Sequence, residues 1–175
     1  MIESLEIRES SPDDFASLEA LYRCAFPDED LLPLVRDLLQ ETGIALSLVG
    51  IIGSSLVGHA IFTTCGVADS HDTAALLGPL AVAPAWQRRG IGNALVRAGV
   101  QRMENAGIAH VYVLGDPAYY ERLGFVPESH VAPPYPLPAQ WRAAWQSLSL
   151  RGAAPLSSGR LSVAQPWLRP ALWAP

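Results

Sequence analysis

Apolar residues recur with two different periods along the first 40 residues of the chain. Leu5 and Ile7 alternate with polar residues, which predicts a short strand over residues 4–10. Ser11 and Pro12 then suit a helix cap and a first helical position. The apolar residues that follow are spaced three or four apart, as on one face of a helix, and they are Phe15, Leu18, Leu21, Tyr22 and Ala25. A second, shorter helix is predicted after them, with a buried stripe of Leu34, Val35, Leu38 and Leu39.

Residues 43–68 contain no acidic side chain and no Lys or Arg. The stretch is long enough to cross a bilayer as a helix. However, Gly53, Ser54 and Ser55 stand in its middle, between two apolar runs. Small polar residues in that position favour a hairpin turn, so we predict two antiparallel strands, at about 44–52 and 56–67.

The next elements form a strand–helix–strand sequence. Residues 75–83 are apolar on both faces and end at Pro84, as expected of a central strand. A helix should follow, with a buried stripe of Ile91, Ala94, Leu95, Ala98 and Met103. Residues 108–114 form another apolar run, and a crossover of this kind predicts that the two strands lie parallel. The fold class is therefore α/β, with a mixed sheet flanked by helices.

The last 50 residues differ in composition, because they hold nine of the fifteen prolines and four of the five tryptophans. We predict a helix over 138–148 with Trp141, Trp145 and Leu148 on one face, and a last strand that begins near Arg160. No linker separates this part. We therefore expect one domain over 1–175, in which an extension at about 131–175 packs on a core at about 5–130.

Composition limits the functions that the chain can have. The apolar content of 50% and the charged content of 17% are those of a folded globular protein. A net charge of −5 argues against a general nucleic-acid binder. All basic residues except histidine are arginine, which excludes a lysine nucleophile. Cys24 and Cys65 fit neither a metal nor a redox spacing, and the acidic N-terminus does not resemble a signal peptide, so we expect buried, reduced thiols and a cytoplasmic protein.

The segment "WQRRGIGNAL" (residues 86–95) combines the features of an anion site. A helix N-terminus offers unpaired backbone N–H groups and a partial positive charge. Gly90 and Gly92 leave that backbone open to a ligand, and Arg88 and Arg89 add charged donors. A Walker A loop is excluded because lysine is absent, and a dinucleotide fingerprint because Leu95 replaces its third glycine. Taken alone, two glycines could also serve only a turn.

Two motifs together resemble a known family. The run Leu80-x-Val82-x-Pro84-x-x-Gln87-Arg88-Arg89-Gly90-Ile91-Gly92 is similar to the acetyl-CoA motif Q/R-x-x-G-x-G/A of the GNAT superfamily of acyltransferases. "YYERLGF" matches that family's Tyr-x-x-x-Gly-Phe signature after the next strand. The similarity covers residues 5 to 130. "LGDPAYYERLGFVP" is most similar to the YhbS-like group of predicted N-acetyltransferases.

The resemblance implies a fold and a cofactor site. Family members splay their two parallel central strands, and pantetheine pairs with the first of them, here at Leu80, Ala81 and Val82. The diphosphate of acetyl-CoA would lie on seven consecutive residues, which are Gln87, Arg88, Arg89, Gly90, Ile91, Gly92 and Asn93. The chain departs from the common pattern at Gly115–Pro117, where many members carry an asparagine that contacts the cofactor. The roles of Asp116 and Pro117 therefore stay open.

The resemblance also implies a catalytic residue. In the family, a tyrosine four residues before the signature glycine commonly protonates the departing thiolate, and here that tyrosine is Tyr120. A phenol with a pKa near ~10 is neutral at pH 7 and can donate to an alkyl thiolate. Tyr119 is the alternative donor, although adjacent helical residues point in different directions. Both tyrosines could instead be packing residues.

The resemblance implies that the acceptor is an amine, which must lose a proton before it attacks. Asp28, Glu29 and Asp30 could attract a cationic substrate, but acids in the first turn of a helix are ordinary partners of its dipole, and we favour that interpretation. A histidine such as His59 on a strand is typical of a hydrogen-bonded core. Asp69, His71 and Asp72 are typical of a polar loop, and Trp141 and Trp145 of a core. No residue is assigned as the base.

The sequence thus predicts an enzyme that moves the acetyl group of acetyl-CoA to a primary amine by direct attack. The acceptor would be a small molecule or a peptide, with no metal, no nucleic acid and no membrane involved, and family habit suggests a homodimer. The alternatives are a non-catalytic acyl-CoA-binding module and an interaction protein that docks a partner through its Pro- and Trp-rich tail.

Overall fold

The computed structural model describes residues 4–174, and these fall into two compact units. The first unit contains the described residues up to Phe62 together with Gly78–Gln101. The second contains Thr63–Leu77 and the described residues from Arg102 onward. The predicted domain limits at residues 1 and 175 lie outside the described residues.

The elements alternate as the sequence predicts for a mixed α/β fold. The strands are β1 (Leu5–Glu9), β2 (Ala45–Ile52), β3 (Ser55–Val67), β4 (Thr73–Val82), β5 (His110–Leu114), β6 (Val126–Pro127), β7 (Val131–Ala132), β8 (Trp145–Ser149) and β9 (Gly159–Ser162). The α-helices are α1 (Phe15–Ala25), α2 (Leu32–Leu39), α3 (Ile91–Asn105) and α4 (Pro117–Glu121). Short 3₁₀ helices at Pro12–Asp14, Pro84–Trp86, Ala139–Ala144, Gln165–Trp167 and Pro170–Trp173 connect them.

The first unit contains β1, β2, the first part of β3 and the end of β4. β2 lies between β1 and β3 in the sheet. β1 pairs antiparallel with β2 from Leu5↔Ile52 to Glu9↔Leu48. The charge-free stretch forms the predicted hairpin, which turns at Gly53 in the left-handed region (φ +62°). Among the described residues, no helix combines the length and the apolar character that crossing a membrane would require.

The helices of the first unit bury the faces that their sequences predict. Leu18, Leu21 and Tyr22 are buried on α1, and Leu34, Val35 and Leu38 on α2. Phe15 and Ala25 on α1 and Leu39 on α2 are only half-buried, so each predicted face is longer than the buried one. Cys24 is exposed, contrary to the expectation of two buried thiols, because it lies on α1 away from the apolar face. Cys65 is half-buried and also unpaired.

The second unit contains the predicted parallel pair. β4 and β5 run parallel from Ala74↔His110 to Leu77↔Val113. β8 pairs antiparallel with β5 and with β6, so parallel and antiparallel strands occur together. β9 pairs antiparallel with the end of β3 and parallel with β7. The C-terminal segment therefore supplies strands to this unit.

The prediction of a helix over 138–148 is wrong. Residues 139–144 form a 3₁₀ helix and the next five residues form strand β8. Trp145 is buried in the sheet, where its ring stacks on Tyr112 with 5.7 Å between centroids and its Nε1 donates to the carbonyl of Val131. Pairing with β5 outweighs the local helical spacing. Trp141 and Trp145 consequently do not share a helix face.

Candidate functional site

The end of β4 and the loop before α3 are joined in the first unit. The parallel pairing of β4 with β5 ends at Leu77, and Leu80, Ala81 and Val82 follow it along the strand. Ala81 is buried, whereas Leu80 and Val82 are half-buried. The Gln87 side-chain amide donates to the carbonyl oxygen of Val82 at 3.0 Å. This hydrogen bond brings the two predicted cofactor-binding segments into contact.

The loop itself has the backbone conformation of a tight turn. Arg88 (φ +62°) and Gly90 (φ +83°) both lie in the left-handed region, which is uncommon for a residue with a side chain. Residues 87–90 are exposed, and a Cβ atom added to Gly90 would meet no heavy atom of residues 4–174 within 4 Å. Turns with left-handed residues can direct successive N–H groups to one side, where they bind anions. The space over Gly90 is therefore open to such a ligand.

Trp86 holds one of the two arginines of the loop. The Arg89 guanidinium carbon lies 5.0 Å from the centroid of the Trp86 ring, within the range of a cation–π contact. Such a contact restricts the flexible arginine while its charge stays exposed. The sequence interpretation did not single out Trp86. Its position three residues before Arg89, in the turn that opens the site, is the signal that could have found it.

Close packing fixes the first turn of α3. Ile91 and Leu95 are buried, and a Cβ atom on Gly58 of β3 would lie 3.0 Å from Ile91 Cγ2 and 2.8 Å from Leu95 Cδ1. Glycine at position 58 therefore permits a close approach of helix and strand. Gly92 is buried and Asn93 half-buried in the same turn. The packed N-terminus of this helix of 15 residues therefore directly follows the exposed residues 87–90, here called the arginine loop.

Tyr120 belongs to the second unit and lies on α4. Its side chain is 7% exposed, and its ring makes edge contacts with Phe125 (5.5 Å between centroids) and Tyr119 (4.9 Å). Burial raises the pKa of Tyr120 well above that of a free phenol, so the hydroxyl keeps its proton at neutral pH. Tyr119 is half-buried, and the Arg122 guanidinium lies 5.8 Å from its ring centroid.

The acidic residues 28–30 do not occupy the first turn of a helix, contrary to the interpretation that we favoured. α2 begins at Leu32, and its first turn contains no acid. Asp28, Glu29 and Asp30 are exposed and line an open cavity of about 590 Å³ in the first unit. The other lining residues come from the α1 and α2 region and are Tyr22, Arg23, Phe26, Pro27, Leu31, Leu32 and Arg36.

His59 is a core residue, as expected. Its side chain is fully buried, with Nδ1 2.7 Å from the Tyr22 hydroxyl and Nε2 2.7 Å from the Ser47 hydroxyl. Burial lowers the pKa of His59 to about 3, which keeps the ring uncharged at neutral pH. Both ring nitrogens are engaged. His59 is therefore not available to take a proton directly from a substrate.

The loop residues Asp69, His71 and Asp72 are not gathered around a common centre. Asp72 Oδ2 lies 3.0 Å from Nε2 of the buried His110, and this contact ties the loop to β5. Within residues 4–174, no group of three or more His, Cys, Asp or Glu side chains is placed to hold a metal ion.

The sequence matches known proteins over most of its length. The model of the family described as "Acetyltransferase (GNAT) family" matches residues 15–125. The N-acetyltransferase YjhQ of Escherichia coli (strain K12) is 34% identical over 140 residues, covering 76% of this chain and 77% of that protein. The N-acetyltransferase YhbS of the same strain is 31% identical over 125 residues, covering 71% and 75%.

Solved structures agree with these matches. YhbS from Escherichia coli, in complex with CoA, superimposes with a TM-score of 0.82 at 25% identity, covering 97% of this chain and 94% of that one. A GNAT family acetyltransferase from Brucella melitensis, in complex with acetyl-CoA, gives a TM-score of 0.75 at 25% identity, covering 93% and 97%.

Proposed function

The chain belongs to the GNAT family of acetyltransferases, and we propose that Gln87–Asn93 hold the diphosphate of acetyl-CoA while Tyr120 protonates the departing thiolate. The enzyme is an acetyl-CoA-dependent N-acetyltransferase. The observation that carries the proposed site is the open, left-handed turn at Arg88 and Gly90 before the N-terminus of α3.

Charge and access support the diphosphate site. Arg88 and Arg89 are exposed, and none of the described residues fills the space over Gly90. A diphosphate bound there would accept hydrogen bonds from backbone N–H groups and guanidinium groups, and it would also gain from the helix dipole. The residues present therefore fit an anionic ligand, and Trp86 restrains one of its cationic partners.

Leu80, Ala81 and Val82 are the proposed partners of pantetheine. Pantetheine carries two amide groups, which can pair with strand backbone as a neighbouring strand would. The pairing of β4 with β5 ends at Leu77, before these three residues. The hydrogen bond from Gln87 to Val82 links this segment to the diphosphate loop. One substrate can therefore extend along both segments.

The proposed reaction is a direct attack of the amine on acetyl-CoA, without a covalent enzyme intermediate. The nitrogen of an unprotonated amine forms a bond with the thioester carbon, and the bond between that carbon and sulfur breaks. The sulfur takes the phenolic proton of Tyr120, and the excess proton on nitrogen passes to solvent. Tyr120 then recovers a proton from solvent. Because burial raises its pKa, Tyr120 is fully protonated at the start of each turnover.

The open cavity beside α1 and α2 is the proposed entrance for the acceptor. Three carboxylates line it, so it favours a cationic amine, whether a small polyamine or the amino terminus of a peptide. Arg23 and Arg36 also line the cavity, but both pair with the Glu19 carboxylate, at 3.5 and 3.0 Å, so they offset the three carboxylates less.

Calorimetric titration of acetyl-CoA into the wild-type protein and Gly90→Glu tests the site. Glutamate places a carboxylate in the proposed diphosphate position, so we expect affinity to fall by more than about tenfold, or ~1.4 kcal/mol. Glutamate is also strained in the left-handed region. Gly43→Glu is the matched control, because Gly43 has a φ of +88° and open space around its Cβ position.

Equal loss of affinity in both variants would overturn the diphosphate site, since strain or added charge alone would then account for it. The release of thiol from acetyl-CoA then identifies the acceptor class. The four amines tested are spermidine, glucosamine, Nα-acetyl-lysine amide and a peptide with alanine at its amino terminus. If the protein binds acetyl-CoA but acetylates none of these amines, the result would favour the acyl-CoA-binding module instead.

Three further proposals concern the domain organisation, the location and the assembly of the protein. We propose that the chain forms one acetyltransferase domain, that it acts in the cytoplasm, and that it assembles as a homodimer as many family members do. Limited proteolysis, cell fractionation and sedimentation velocity test them in that order. A monomer at micromolar concentration would contradict the dimer.

A further inference from the structure

The link between β5 and α4 carries the sequence "GDP" at residues 115–117, and no role has yet been assigned to it. This is the point at which the chain departs from the pattern that its motifs resemble. In the structure Gly115 lies directly beside the Tyr120 ring, and Asp116 caps α4, both within the second unit. The contacts of these residues indicate their role.

Gly115 leaves room for the ring of Tyr120. A Cβ atom built on Gly115 would lie 2.5 Å from Tyr120 Cε2, 3.2 Å from Cδ2 and 3.5 Å from Cζ. The first distance is shorter than a carbon–carbon contact allows. Gly115 does not lie in the left-handed region. The requirement for glycine is therefore steric, and it arises from the tyrosine ring.

The backbone of Gly115 cannot easily move away. Its N–H donates to the carbonyl of Ala144 at 2.9 Å, and its carbonyl oxygen accepts a hydrogen bond from Gln146 Nε2 at 3.3 Å. Gln146 is 1% exposed on β8. The same Nε2 lies 3.4 Å from the carbonyl oxygen of Ala144, so Gly115 is tied to Ala144 both directly and through this buried amide.

The ring of Tyr120 is restrained as well. Phe125 and Tyr119 make edge contacts with it, so a ring pushed by a new methyl group meets other aromatic rings. Asp116 sets the start of α4, since its Oδ1 accepts the N–H of Ala118 at 3.0 Å and its carbonyl accepts the N–H of Tyr120 at 3.1 Å. The backbone position of Tyr120 is therefore determined by Asp116.

We propose that Gly115 is a positioning residue for catalysis, which sets the place of the Tyr120 hydroxyl by admitting its ring. This inference rests on the proposed role of Tyr120 as the proton donor. Asp116 assists by capping α4. In this chain the "GDP" sequence thus acts through the tyrosine rather than through contact with acetyl-CoA.

The test compares Gly115→Ala, Tyr120→Phe and the control Gly66→Ala. Gly66 is a strand glycine of the same unit with open space around its Cβ position. NMR spectra of protein with ¹³Cε-labelled tyrosine show the ring, and its signal is assigned by its loss in Tyr120→Phe. Turnover is measured with the fastest of the four amines named above, and acetyl-CoA affinity by calorimetry.

We expect Gly115→Ala to move the Tyr120 signal and to lower kcat by about tenfold to 10²-fold, because displacement of a catalytic group by about 1 Å has effects of that size. Acetyl-CoA affinity should stay within about threefold. The double variant Gly115→Ala/Tyr120→Phe should be no slower than Tyr120→Phe alone. Gly66→Ala should change none of these values.

An unmoved Tyr120 signal in Gly115→Ala, or a loss confined to acetyl-CoA affinity, would overturn the inference while the proposed function stands. Wild-type kcat in Tyr120→Phe would instead overturn the proposed role of Tyr120. Should Gly115→Ala not fold, Gln146→Met tests the same link, because it removes the hydrogen bond to the Gly115 carbonyl. A moved tyrosine signal and a lower kcat in that variant would support the inference, and an unmoved signal would contradict it.

Discussion

The Gln87 side-chain amide donates a 3.0 Å hydrogen bond to the carbonyl oxygen of Val82, and so joins the arginine loop to the end of β4. The two residues stand on either side of the 3₁₀ turn Pro84–Trp86. In the proposed complex, Gln87 contacts the diphosphate and Val82 contacts pantetheine. A single side chain therefore sets the spacing of two parts of one binding site.

We expect Gln87→Leu to weaken acetyl-CoA binding about fivefold, which corresponds to the loss of one hydrogen bond of about 1 kcal/mol. The turnover number at saturating acetyl-CoA should change much less, because the thioester end of the substrate is not affected. Calorimetry and steady-state kinetics check the two parts. Gln140→Leu, at an exposed position of the second unit, is the control. An unchanged affinity would mean that the loop keeps its shape without this bond.

Tyr120→Phe should lower kcat by about 10²-fold or more while leaving acetyl-CoA affinity nearly unchanged, since the phenol acts only as the thiolate departs. Tyr119→Phe should stay within about twofold of the wild-type kcat. Stopped-flow measurement of thiol release distinguishes the two. A larger loss in Tyr119→Phe than in Tyr120→Phe would reverse the assignment of the donor.

The pH dependence of kcat gives a second view of Tyr120. Burial raises its pKa, so the acid form persists on the alkaline side of neutrality. We expect no loss of kcat from this group up to about pH 9, where a phenol of ordinary pKa near ~10 begins to ionise. A fall of kcat below that pH that Tyr120→Phe abolishes would contradict the raised pKa.

The buried His59 should make the protein less stable in mild acid. Its pKa is about 3 when folded and near 6.5 when unfolded, so between these values the unfolded chain binds the proton more readily. Its contribution is fully present above the unfolded pKa and is lost as the pH falls toward the folded value. From about pH 7.5 to about pH 5.0, the free energy of unfolding should fall by about 2 kcal/mol from this group.

Urea unfolding at the two pH values measures this fall in the free energy of unfolding. We expect His59→Gln to reduce the fall. The control His71→Gln, at an exposed position, should leave it unchanged. The carboxylate of Asp14 does not interfere in this window. Its hydrogen bonds with Arg8 hold the pKa of Asp14 at about 2, so it stays ionised at both pH values. An equal fall in His59→Gln would show that another group titrates.

Gly99→Ala should destabilise the protein by about 1–3 kcal/mol, the range found for overpacked cores. Gly99 is buried on α3, and a Cβ atom there would lie 1.9 Å from Phe62 Cε1. The midpoint of thermal unfolding checks the loss, and Gly66→Ala should show none of it. Because Phe62→Leu shortens the opposing side chain, the double variant should recover part of the stability. No recovery would place the strain elsewhere.

The local elements and the family motifs were determined by the sequence itself. Periodicity predicted α1 and α3, because each buries one face, and the small polar residues between two apolar runs predicted the hairpin of β2 and β3. The exposed turn at residues 87–90 could be predicted in the same way, since arginines and a glycine before an apolar helix are a local pattern.

Only the tertiary structure decided what depends on distant partners. Trp145 lies on a strand because β5 offers it a pairing edge, although its own neighbours in sequence favour a helix. The acids at 28–30 line a cavity and not the first turn of a helix, because α2 begins only at Leu32. Gly115 serves Tyr120 through a contact that no spacing reveals. Local pattern fixes which backbone a segment prefers, whereas side-chain contacts between segments depend on packing that one sequence does not spell out.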